Sequence, residues 1–185
     1  MQEALTSPFS AWESFYVIVG SSAGALTGLQ FVVMALIADS HLRSSSSEID
    51  AFGTPTIVHF CAALLISAIL SAPWHALHGA RIVLLLLGVA GLGYSGLILR
   101  RTKRQSGYQP VFEDWLWHII LPALSYGALL ISAVTLEATP NGSEFVVAGV
   151  SLLLLFVGIH NAWDSVAYVA IQKVRLSTEA AGEKK

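Results

Sequence analysis

An aspartate inside a long apolar run is the first residue that asks for a chemical explanation. Asp164 follows His160-Asn161-Ala162-Trp163, and a spacing of four places His160 and Asp164 on one helical face, with Tyr168 a further turn along. On insertion scales an aspartate at a helix centre costs roughly 2.5 to 3.5 kcal/mol in a membrane, so it needs a partner or a water-lined cavity. Asp114 and His118 repeat the spacing in the opposite order, while Gln30 and His59 stand in two other apolar segments. A carboxylate one turn from an imidazole can fix its tautomer while the other ring nitrogen passes a proton or binds a metal. Three histidines from separate helices, His59, His118 and His160, could hold zinc or iron with an open position, leaving Asp164 to orient a water. No HExxH signature is present. The competing reading is an interhelical hydrogen-bond network that only fixes packing.

The elements that must position these residues follow from composition. Of 185 residues, 55% are hydrophobic and 12% charged, against about 25% charged in a soluble domain. Too little polar surface exists to coat such a chain in water, so its solvent is expected to be largely lipid. A formal net charge of −2 leaves no electrostatic footprint for nucleic acid. The single cysteine, Cys61, excludes an intramolecular disulfide framework. Apolar runs long enough to cross the bilayer lie at about 14–38, 55–72, 80–99, 115–136 and 145–172. Thr54-Pro55 is expected to start the second and Ala72-Pro73 to stop it. These runs predict an all-α integral membrane fold, a five-transmembrane-helix bundle forming one membrane domain over residues 1–185. The first apolar segment is expected to be retained, because residues 1–13 carry no basic leader.

Orientation follows from the basic residues, which favour cytoplasmic loops. With the N-terminus outside and the C-terminus inside, nine of the ten Lys and Arg residues fall inside, including the Arg100-Arg101-Thr102-Lys103-Arg104 run, and only Arg81 falls outside. Trp12 and Trp74 then mark the outer interface, and Trp115 and Trp117 the inner one. In this topology Gln30, His59, His118, His160, Asn161 and Asp164 gather in the inner half of the membrane from four helices. His75 and His78 fall in a short outer turn and are read as interfacial. Gly20, Gly24 and Gly28 form a small-residue stripe on the first helix, and Gly88 and Gly91 a second on the third, which makes that helix a natural partner for the first, although the spacing does not say which helix the glycines meet.

The stretch 15–39, with Glu113-Asp114-Trp115 and His160-Asn161-Ala162-Trp163-Asp164, resembles small polytopic bacterial inner-membrane proteins of no assigned activity. The resemblance implies a multi-pass protein of the bacterial inner membrane and supplies no functional residue. From the residues themselves, the leading expectation is a small oligomeric unit whose cytoplasmic-half cavity binds or conducts a proton, ion or small polar ligand. In that reading Asp164, His160, Asn161, His118, His59, Gln30, Asp114 and Tyr168 form the pathway. A non-catalytic accessory or assembly protein is the alternative, and an intramembrane metal-dependent hydrolase is the third reading. The expected partners are the lipid bilayer and a second copy or another membrane protein.

Overall fold

Long apolar stretches in a chain this poor in charge satisfy their backbone groups internally by forming helices. The computed structural model describes residues 7–39, 46–104 and 112–182. Among these the protein is all-helical, with no strand, and five helices are long and apolar enough to cross a membrane. This is the pattern of a multi-pass membrane protein. The expected inner residues Arg43, Lys184 and Lys185 lie outside the described residues.

A 3-10 turn, Ser10–Trp12, leads into α1, Glu13–Asp39; α2 spans Ser46–Ser71 and α3 Leu77–Arg104. The fourth crossing is composite: α4, Phe112–Trp115, passes through a π turn, Leu116–Ile120, into α5, Leu121–Thr135. The last helix, α6, covers Pro140–Gly182. Pro55 does not start α2 as the sequence suggested but sits inside it, nine residues after Ser46. Proline within an apolar membrane helix is tolerated because neighbouring groups can satisfy the freed carbonyl. The stretch of α2 apolar enough to cross is nonetheless 54–71, close to the expected span.

Helices α2 and α6 form the centre, with a larger share of their span residues buried than any other crossing. Most of the packing runs α1 on α2, α2 on α6, α6 on α5 and α5 on α3. The two glycine stripes, natural partners by sequence, are therefore not the main contact of either helix. Gly20 and Gly24 face α2, where a Cβ on Gly20 would lie 3.0 Å from that of Ser67 and one on Gly24 would lie 4.0 Å from Leu64 Cδ1. Gly28 faces open space. On α3, Gly88 lets the backbone of Leu130 approach, its own virtual Cβ falling 3.2 Å from Leu130 Cα, and Gly91 receives the ring of Tyr126. Each small surface is used, but by the helix beside it, since lipid gives helices no hydrophobic reason to associate and close approach supplies the dispersion contacts instead.

The outward faces stay apolar. Ile18, Phe31, Leu86, Ile131 and Phe156 are all more than half exposed, as suits side chains whose solvent is hydrocarbon.

Candidate functional site

Close approach at Gly91 and Gly158 decides which polar side chains reach the interior. The Tyr126 ring occupies the space above Gly91, and the Phe60 ring the space above Gly158. With its ring held there, Tyr126 directs its hydroxyl at His59, 3.2 Å from Nδ1. Both residues are buried to 1% exposure. A buried tyrosine hydroxyl generally requires such a partner. Tyr94, on α3 one turn from Gly91, meets the His59 ring edge to face at 6.5 Å, and its own hydroxyl is buried without a hydrogen-bond partner. His118 lies within charge–charge range of His59. Side chains from α3, α5 and the π turn thus surround the imidazole that α2 carries.

The π turn itself has a local cause. Pro122 has no N–H for the carbonyl of His118 four residues earlier, and its ring crowds that carbonyl, so the backbone widens there. Widening turns Trp117 onto α6, where its ring stacks on His160 at a centroid distance of 3.8 Å and an interplanar angle of 16°. His160 Nε2 meets Asp164 Oδ2 at 3.1 Å, a charge contact that is not aligned as a hydrogen bond. The expected pairing of His160 with Asp164 is present, yet its location differs from that of His59. The Asp164 side chain is 52% exposed and neighbouring Trp163 is exposed, so the pair sits on the rim of the bundle.

Asn161 points the other way. It is 1% exposed, and neither its Oδ1 nor its Nδ2 has a hydrogen-bond partner. Gln30 on α1 is 3% exposed with an unpartnered Nε2. Helix register sets their common depth. The antiparallel contacts Gly20–Ser67 and Gly24–Leu64 bring Gln30 level with about Ile57 on α2, and Phe60–Gly158 brings Asn161 level with the same residue. The Trp117–His160 stack adds His118 to that layer.

The expected residues therefore share a depth but divide into two groups. His59, His118 and Asn161 belong to the layer's interior, now joined by Tyr94 and Tyr126, while His160, Asp164 and Trp117 form the rim. Gln30 alone among the expected residues lines the groove between α1 and α6. For Asp114 in α4 and Tyr168 in α6 the structure describes the helix position alone. Among the described residues no group of three His, Cys, Asp or Glu side chains is placed to hold a metal ion, so the expected His59, His118 and His160 set does not come together as one. Its members are drawn apart by different neighbours, Tyr126 for His59 and Trp117 for His160.

Sequence reasoning passed over Tyr94 and Tyr126 and read Trp117 as an interface marker alone. Two tyrosines in mid-span carried the signal, because a phenol in hydrocarbon must find a polar partner. In comparisons with family models, curated proteins and solved structures, nothing matches the chain.

Proposed function

We propose that the protein is a small multi-pass unit of a bacterial inner membrane, inserted N-out and C-in, whose inner-half interior passes a proton or holds a small polar ligand. Distribution of the basic residues supports the orientation, since nine of ten fall on one side. Asn161 carries the functional reading. Leaving a buried amide unpaired costs about 1 to 3 kcal/mol, and an apolar residue in a purely structural core avoids that cost. A transient water, ion or ligand would supply the missing bonds. At the same depth, His59 and His118 supply imidazoles, whose two ring nitrogens can take up a proton on one side and release it on the other. Asp164, on the rim, is assigned a tuning role through His160 instead of the central charge.

Proteoliposomes loaded with a pH dye and driven by an imposed membrane potential test this directly. The native chain is predicted to carry protons above the background of empty vesicles, and Asn161→Leu and His59→Phe to return the flux to that background. Flux equal to empty vesicles in the native protein overturns the transport reading. A specific observation favours the accessory reading as second choice: the His59–Tyr126 bond is already closed within the chain, as a packing network would be. Five crossings make a thin bundle, and self-association completes the proposal; crosslinking in native membranes that yields monomer alone would contradict that part.

A further inference from the structure

A groove of about 230 Å3 lies between α1 and α6 and opens sideways. Leu26 and Leu29 of α1 face Ile159 and Val166 of α6 across it, and Phe60 of α2 also contributes to its lining. Gln30 brings the only side-chain amide to this apolar lining, in which the indole of Trp163 is the other polar-bearing side chain. Its Nε2 is covered and has no hydrogen-bond partner, and rotation about the flexible glutamine torsions would turn it into the groove. Water is a poor occupant, because a stable site for it needs two to four polar partners. The surrounding solvent, hydrocarbon, is a good one.

Depth narrows the occupant. Gln30 is nine residues from Asp39, about 13 Å along the helix, and the stretch of α1 apolar enough to cross a membrane extends past it to Ala35. Ester carbonyls of phospholipids stay at the headgroup boundary, above this level. A neutral lipid whose oxygen can sink into the hydrocarbon reaches it. We propose that the groove binds a neutral, carbonyl-bearing apolar lipid of the long-chain or isoprenoid ketone and quinone type, its oxygen accepting a hydrogen bond from Gln30 Nε2. The inference stands apart from the proton or polar-ligand reading, since it uses neither His59 nor Asn161.

Photolabelling of the purified full chain in vesicles tests it with three diazirine probes: a long-chain ketone, the matching alkane and a phosphatidylcholine. The ketone is expected to label peptides spanning Leu26 to Val33 and Ile159 to Val166 about three- to tenfold more than the alkane, the worth of one hydrogen bond in an apolar site. Gln30→Leu and Gln30→Met should both bring ketone labelling down to the alkane level, with folding checked by size exclusion. Ala162→Phe fills the groove while leaving Gln30 in place and should suppress labelling by the ketone, which keeps the test decisive if the Gln30 variants misfold. Equal labelling by ketone and alkane, preference for phosphatidylcholine, or a ketone preference that survives both Gln30 variants and Ala162→Phe would overturn the proposal.

Discussion

The two ends of the bundle treat polar groups differently. At the end where α5 passes into α6, Glu137 receives both Arg81 at 2.7 Å and His78 at 3.2 Å, Trp12 donates its indole N–H to Glu144 at 3.0 Å, and Thr135 bonds Ser143 at 3.0 Å. These contacts tie α3 to the α5–α6 connection, the N-terminal turn to α6, and α5 to α6 across that connection. The layer at the level of His59 has His59 and Tyr126 paired, yet leaves the hydroxyl of Tyr94, both polar atoms of Asn161 and the nitrogen of Gln30 without partners. The first end is not fully closed either, since the buried Tyr16 hydroxyl and Arg81 Nε there have no hydrogen-bond partner; the second differs in leaving both polar atoms of one buried amide open. Open bonds in a buried layer are a cost that stability alone does not explain.

The largest effect that would sharpen this contrast comes from Gly91. A Cβ at this position collides with the Tyr126 ring, so Gly91→Ala is expected to destabilise the fold by about 3 kcal/mol despite its gain in helix propensity. Reversible unfolding in bicelles would measure it, and a neutral outcome would mean that α3 is not seated against α5. Next comes Tyr126→Phe, which removes the hydroxyl facing His59 while keeping the ring. Its expected cost is about 1 kcal/mol, the scale of one interhelical bond in a membrane. Double-mutant analysis with His59→Phe should recover most of that value as coupling; additive effects would break the pair.

Glu137→Gln is predicted to cost less, under about 1 kcal/mol, because Glu137 and its partners are partly exposed and solvent screens the pairs. That small loss should shrink further in high salt. Gly28→Ala is the smallest change: nothing lies within 4 Å of the added methyl, so the variant should gain about 0.5 kcal/mol from helix propensity. Set beside Gly91→Ala, it separates glycines that seat a neighbour from one that does not.

Five helices long enough to cross and a shared level for Gln30, His59, His118 and Asn161 were legible because length, hydropathy and residue count along a helix translate directly into position along the bundle. Facing was not legible. In lipid both the buried and the exposed sides of a helix are apolar, so Ile66 in the core and Ile131 on the outside read alike. That symmetry concealed which neighbour Gly20 and Gly88 would meet, and it concealed that Asn161 points inward while Asp164 reaches the rim. Pro55 misled for a related reason, since the rule that proline starts or stops helices is weaker where the helix is held by neighbours on several sides. The π turn had a signal in Pro122, but only its effect on Trp117 and His118 reveals why that mattered.

The account rests on the Asn161 amide, and its bonding can be observed directly. Solid-state NMR of the side-chain nitrogen in native-like bilayers is predicted to show contact with exchangeable protons of water or a bound ligand, lost when the interior is blocked by His59→Trp. A resonance coupled only to protein groups, with no exchangeable neighbour, would contradict the claim that the inner layer is a site.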